Sequence, residues 1–369
     1  MNRRFFLALG FVAMLFNSVY QYSWNAFAPL LVRGFKEPTY AVEVAFALFV
    51  VVSTSFQVVA GRIADTTGPR VLGSLGTLAL SLGLILSSLS PNLFAFYLTW
   101  TLGSVGEGVM YGISLNLAIK WYRERRGLAS GLVTMGFGLG GALANPFILS
   151  LDNFRTSMLI IGLISLILTP LFLMTRYPTG LEGAPPGETV KEKKFWLIYA
   201  CFTLASLPLL VASSSLDVLG NYLSNLEYTL ITVYFPVASG IGRPLLGYIA
   251  DRIGRMRGID LMMLGMVGGV LITVMGNLER SSLLLLGILL VGIMGGSTFP
   301  MFSALVGDVY GSKYSTANTS ILYTGKILSG VLGSVVFSSL FQVNDLAGLI
   351  FLLLSTIASI SLLEVLHRV

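Results

Sequence analysis

The chain has 369 residues, 55% of them hydrophobic and 11% charged, with a mean hydropathy of +0.83 and a formal net charge of +6. Soluble domains carry about 25% charged residues, so this composition excludes an ordinary water-soluble protein and places the chain in a bilayer. One cysteine, Cys201, excludes a disulfide framework. One histidine, His367, argues against haem or zinc, so no metal or cofactor is expected.

A hydrocarbon core of ~30 Å takes roughly 20 apolar residues per helix, and with short loops this length holds about twelve spans. The first follows Met1-Asn-Arg-Arg and runs to about Val32 without a small-residue cleavage site, so it reads as a retained helix rather than a leader. The others fall at roughly 41–60, 71–90, 93–119, 127–150, 155–174, 195–219, 229–250, 259–278, 282–307, 315–341 and 345–366. Thr175 to Lys194 is rich in proline, glycine and charge, and reads as a flexible linker. The expected architecture is an all-α membrane protein of two six-helix bundles: residues 1–174, a cytoplasmic linker 175–194, and residues 195–369.

Basic residues set the topology. With both termini inside, 17 Lys and Arg lie on the inner side and 4 on the outer, namely Arg33, Lys36, Arg155 and Arg280. The positive charge therefore reads as orientation in a plasma membrane and not as a nucleic-acid footprint. Two of the 23 basic residues, Arg243 and Lys326, belong to neither side.

An internal repeat relates the halves. Gly61-Arg-Ile-Ala-Asp65-Thr-Thr-Gly68-Pro-Arg70 recurs 186 positions later as Gly247-Tyr-Ile-Ala-Asp251-Arg-Ile-Gly254-Arg255. In each copy the glycines allow close packing, and the acid can cap the next helix or pair with a basic neighbour. The turns serve either as ordinary capped turns or as latches holding the halves in one state. Arg243 aligns with Gln57 and Lys326 with Phe137, so only the second half carries cations at that depth.

Arg243 lies ~12 Å along its helix from Asp251, and Lys326 ~16 Å from Ser315, which puts both near mid-bilayer. An unpaired cation there costs at least ~2.5–3.5 kcal/mol, so the pair reads as a functional site or as structural pairing with neighbouring helices. Glu107, between Gly106 and Gly108, is the one acid clearly at that depth. It either titrates or pairs with a cation. Asn17, Gln21 and Asn25 form a polar stripe on the first span. Tyr22 and Trp24 flank that stripe. Tyr111, Phe299 and Tyr323 are further candidates for a cavity lining. Glycines 131, 136, 138, 140 and 141 on span 5 permit helices to approach and slide.

These residues resemble the major facilitator superfamily, and within it the oxalate:formate antiporter and monocarboxylate carrier branch. The likeness rests on Tyr22-Ser-Trp24-Asn-Ala-Phe27, both turns, Lys120-Trp-Tyr122…Arg125-Arg126-Gly127-Leu-Ala-Ser-Gly131, and Tyr323-Thr-Gly-Lys326. The resemblance covers essentially the whole chain. It implies an aromatic-lined central cavity in which Arg243 and Lys326 bind substrate carboxylate, caged by Tyr22, Tyr111, Phe299 and Tyr323. Gly295 stands where the oxalate carriers have tryptophan and Phe137 where they have tyrosine, which implies a roomier cavity with fewer hydrogen bonds. Thr66 replaces the usual basic residue of the turn.

The expected activity is secondary transport of a small organic anion by alternating access, as antiport or proton symport, by a monomer. A drug or sugar carrier is the nearest alternative. A membrane enzyme is disfavoured by the lack of clustered His, Cys or paired acids, and a non-transporting sensor by the lack of a signalling domain.

Overall fold

A computed structural model describes residues 2–368, apart from the side chains of Asn25, Thr39, Asp217, Val218, Thr229 and Ser334. The fold is nearly all helix. In order these are α1 (Arg3–Tyr22), α2 (Trp24–Phe35), α3 (Thr39–Thr67), α4 (Arg70–Leu89), α5 (Leu93–Trp121), α6 (Arg126–Leu151), α7 (Phe154–Ser165) and α8 (Leu168–Phe172). After a short α9 (Pro186–Thr189) come α10 (Lys193–Ser214), α11 (Leu216–Leu219), α12 (Asn225–Ile253), α13 (Arg255–Leu278) and α14 (Leu283–Tyr310). The chain ends with α15 (Ser315–Tyr323), α16 (Gly325–Val331), α17 (Phe337–Val343) and α18 (Asp345–His367).

Ten stretches among the described residues are long and apolar enough to cross a membrane. The 29-residue α5 and the interrupted run α15–α17 complete the twelve spans expected from sequence. Side-chain caps start several of them. Ser224 and Glu227 form a reciprocal box at α12, Asn153 accepts from the N–H groups of Arg155 and Thr156 at α7, and Asn344 accepts from Leu346 at α18.

Two spans differ from the continuous helices expected. The first is broken at Ser23, whose backbone (φ −93°, ψ 1°) leaves the helical region between α1 and α2. Span 11 is interrupted at Thr324, two residues before Lys326, and passes through a π-helical turn at Leu332–Val336. Such turns widen a helix by one residue and recur at functional sites.

Proline shapes the helix on which Arg243 sits. Pro244 supplies no backbone N–H, so the ladder loses a bond immediately after Arg243. Pro300 does the same in α14, directly after Phe299.

The chain divides into two compact units. One comprises Met1–Trp121, Gly136–Gly183 and Gly311–Ser320; the other comprises Tyr122–Met135, Ala184–Tyr310 and Ile321–Val369. In the first, α4 packs along α5 and α3 along α5, around buried aromatics that include Tyr20, Phe49, Phe96 and Trp100. In the second, α13 packs along α14 and α12 along α14. The segments that begin α6 and α15 each lie in the unit that supplies the acid capping them, as follows.

Candidate functional site

Each of the two repeated turns ends a helix and binds the start of another. Gly68 (φ +88°) closes α3 and Gly254 (φ +101°) closes α12, in a region of backbone space that disfavours side chains. In the first unit, Asp65 Oδ2 accepts from the N–H of Ala317, in the first turn of α15, at 2.8 Å. In the second, Asp251 Oδ1 and Oδ2 accept from the N–H groups of Gly127 and Leu128, in the first turn of α6, at 2.9 and 2.7 Å. A carboxylate here satisfies orphan donors and meets the positive end of the helix dipole.

The repeat glycines permit this approach. A Cβ on Gly247 would sit 2.1 Å from the Gly127 carbonyl oxygen, and one on Gly61 would sit 2.8 Å from that of Thr316. The two contacts are mates, since Gly127 and Thr316 occupy matched positions in the halves.

The bases around the acids differ. Arg255 Nη2 binds Asp251 Oδ1 at 2.7 Å, and its Nε binds Asp308 Oδ2 at 2.9 Å. Arg126 also pairs with Asp308, which makes a four-residue chain of alternating charge. In the first unit Lys120 takes the basic role. Its Nζ lies 2.7 Å from Asp65 Oδ1 and 2.7 Å from the Lys313 carbonyl oxygen, and both charged side chains are fully buried. Arg70, the basic residue of the first turn, stands one place later in the repeat than Arg255, is exposed, and joins no ion pair among the described residues.

Arg243 is 2% exposed, deep in α12. Its Nη1 donates to the Thr134 carbonyl at 3.0 Å and its Nε to that of Ser239 at 3.3 Å, which fixes the guanidinium's orientation. Lys326, half-buried on α16, belongs to the same unit. That unit also brings together Phe299 and Tyr323, whose ring centroids are 5.6 Å apart at right angles. The Tyr323 hydroxyl donates to the Phe299 carbonyl at 2.9 Å and accepts from Ser303 at 2.8 Å. Phe202 completes this cluster, stacked on Tyr323 at 5.4 Å and edge-on to Phe299 at 5.5 Å.

Tyr22 and Tyr111 meet in the first unit through Phe137, with centroid distances of 5.4 and 5.2 Å. Glu107 is 4% exposed on α5, and its backbone carbonyl accepts from Asn17 Nδ2 at 3.0 Å. Gln21 is half-buried on the same stripe, whereas the Asn25 side chain lies outside the described residues. Trp24 is buried and donates from Nε1 to Glu43 at 3.0 Å.

Sequence reasoning missed Lys120, Phe202, Thr134, Arg126, Asp308 and Tyr177. Lys120 and Arg126 entered only as inner-side charges and as part of the motif that carries the resemblance. Tyr177, in the linker, sits with its ring centroid 4.2 Å from Lys120 Nζ, and its hydroxyl is 3.2 Å from Thr316 Oγ1. Burial, and the nearby Asp65 charge after it, push this phenol above its ordinary range, so it stays protonated.

Among the described residues, twelve spans in two units, each with a glycine-acid turn that caps a helix, define a membrane transport protein of the facilitator type. The chain belongs to the Major Facilitator Superfamily, whose family model matches residues 6–216 and 195–368. It is 41% identical to an uncharacterized 38 kDa protein in a 23S RNA operon of Thermoproteus tenax, over 98% of this chain and 95% of that one. It is 26% identical to the oxalate:formate antiporter of Oxalobacter formigenes, over 90% of this chain and 83% of that one. Among solved structures it matches the Escherichia coli fucose:proton symporter with a TM-score of 0.78 at 13% identity, covering 98% of this chain and 97% of the other. The last likeness concerns the fold alone.

Proposed function

We propose that this facilitator carries a small organic anion bearing a carboxylate across the plasma membrane, by alternating access, as an antiporter or a proton symporter. The observation that carries the reading is Arg243, a guanidinium 2% exposed in an apolar helix and oriented by the Thr134 and Ser239 carbonyls. A buried cation at such depth is expensive and marks a substrate or ion pathway. Lys326 lies in the same unit, and the oxalate:formate antiporter relative supports an anionic substrate.

A carboxylate reaching Arg243 and Lys326 exchanges hydration for charge-assisted hydrogen bonds, worth about 1.5–3 kcal/mol each. The rings of Phe299, Tyr323 and Phe202 exclude water, which strengthens those bonds. The Tyr323 hydroxyl is engaged with Phe299 and Ser303, so its ring, more than its oxygen, faces substrate chemistry. A monocarboxylate with a short apolar remainder fits this balance of charge and ring surface. Without substrate, two cations in one unit resist dehydration, which favours exchange or co-transport with a proton.

The transport cycle requires the Asp65 and Asp251 caps to break in one access state and re-form in the other. On the proposed topology both lie on the cytoplasmic side, with both termini and the linker. Tyr22 and Tyr111 stay in the proposal as aromatic residues of the first unit, grouped by Phe137, and Glu107 as its coupling acid. The carrier works as a monomer.

Counterflow in proteoliposomes tests the reading. Vesicles loaded with one labelled monocarboxylate are challenged with external mono- and dicarboxylates and with a neutral sugar. Carboxylates should accelerate exchange and the sugar should not. Exchange driven by the sugar alone would overturn the anion reading.

A further inference from the structure

The segment between the halves has the composition of a free tether, yet the first unit binds it closely. Glu182 presents its carbonyl to the N–H groups of Ser312 and Lys313 at 2.9 and 3.0 Å, and Gly183 pairs with Gly311 as an isolated antiparallel bridge. Gly311 is required there, with φ +79° and no room for a Cβ, which would lie 2.5 Å from the Glu182 carbonyl oxygen. Earlier in the linker, the Arg176 carbonyl accepts from Trp121 Nε1 at 2.9 Å. Residues 176–183 are thus anchored at both ends, and Tyr177 hangs between the anchors.

Beneath Tyr177 lies the buried pair. Lys120 Nζ points at the ring face from 4.2 Å while bonding Asp65 and the Lys313 carbonyl. Asp65 in turn holds the N–H of Ala317, and the Tyr177 hydroxyl meets Thr316 Oγ1, one residue earlier. One tyrosine therefore touches the base of the ion pair with its face and the capped helix with its oxygen. Removing the ring would admit water beside two fully buried charges and weaken their attraction through the local dielectric.

We propose that Tyr177 is a positioning residue of the transport cycle: it covers the Lys120–Asp65 pair and sets how readily the Asp65 cap on α15 opens. The linker is then part of the latch and not merely the connection between halves. This rests on the alternating-access reading above but not on the identity of the substrate. The cation–π contact and the hydroxyl bond have separable effects. Loss of the ring should favour the opened cap by roughly five- to thirty-fold, and loss of the hydroxyl alone by about two- to five-fold.

The test uses the full-length carrier with Cys201→Ala and Ser320→Cys. Ser320 is fully buried on α15, against Gly61 of α3, so a thiol there reacts only when the cap opens. Labelling by a small thiol reagent is followed without substrate in Tyr177, Tyr177→Phe and Tyr177→Leu backgrounds. Leucine fills similar space without a ring face, and should label about tenfold faster than tyrosine. Phenylalanine should label about two- to five-fold faster than tyrosine. Tyr177→Met replaces the leucine variant if that one does not fold. Equal rates for tyrosine and leucine, or for phenylalanine and leucine, would overturn the proposal. A wrong choice of anion leaves this readout unchanged, and an intact latch leaves the counterflow result open.

Discussion

Asp251 accepts the N–H of Leu128 at 2.7 Å, and 186 residues earlier Asp65 accepts the N–H of Ala317 at 2.8 Å. The same bond is made twice, each time from the end of one long helix to the first turn of another. What differs is the company. Asp251 shares an exposed-edge network with Arg255, Arg126 and Asp308, whereas Asp65 and Lys120 are sealed from solvent.

That difference predicts unequal effects of neutralising the acids. Asp251→Asn retains a capping oxygen and leaves its partner Arg255 paired with Asp308, so the loss should be about 1–3 kcal/mol. Asp65→Asn strands a buried ammonium, which costs about 3–5 kcal/mol. Thermal unfolding of the purified variants checks this: the Asp65→Asn transition should fall further. An equal fall would mean that the pair is solvated in the working protein.

The close approach at Gly247 yields a steric prediction. Gly247→Ala places a methyl carbon against the Gly127 carbonyl, where only backbone movement can relieve it. Overpacking of this kind costs about 1–3 kcal/mol, and here it would also stretch the Asp251 caps. Gly61→Ala meets the Thr316 carbonyl at a longer distance and should be milder. Transport rates of the two variants should rank in that order.

Much of this was legible in the amino-acid order, and the exceptions have physical causes. Apolar runs long enough to cross a bilayer mark the spans regardless of packing, because lipid demands internally bonded helices. The turns were legible because they repeat, and their glycines and acids have a steric and an electrostatic job. The breaks at Ser23 and Thr324 were not, because backbone groups there re-bond locally, the Ser23 carbonyl accepting from Ala26 and Phe27 and that of Thr324 from Ile327, and ordinary residues adopt such turns. Lys120 could be counted as an inner charge, but its burial depends on Asp65, 55 residues away in sequence. Tyr177 sits among Pro178, Gly180 and Gly183, residues whose local preference says loop. Only long-range bonds reveal the strap.

Topology gives a third prediction. A cysteine placed at Glu188, exposed on the linker's short helix, should react with impermeant thiol reagents only from the cytoplasmic side. Reaction from outside in intact cells would reverse the orientation that the 17-to-4 charge asymmetry requires.

Coupling gives a fourth, centred on Glu107. Glu107 is a carboxyl 4% exposed in α5 of the first unit, the acid proposed above to couple a proton to transport. Glu107→Gln should abolish accumulation driven by a pH gradient and leave anion exchange intact. Survival of both activities would make Glu107 a structural partner of its neighbours and the carrier a plain exchanger.

The central claim is that Arg243 and Lys326 hold the substrate carboxylate, and equilibrium binding tests it most directly. The purified carrier is titrated with the monocarboxylate selected by counterflow, alongside Arg243→Gln, Lys326→Gln and Lys326→Arg. Each glutamine variant loses about 1.5–3 kcal/mol per charged hydrogen bond, so Kd should rise roughly tenfold or more. Lys326→Arg should recover only part of the affinity, because a planar fork does not reproduce a compact ammonium on the same stem. Unchanged binding in the Arg243→Gln, Lys326→Gln double variant would contradict the account.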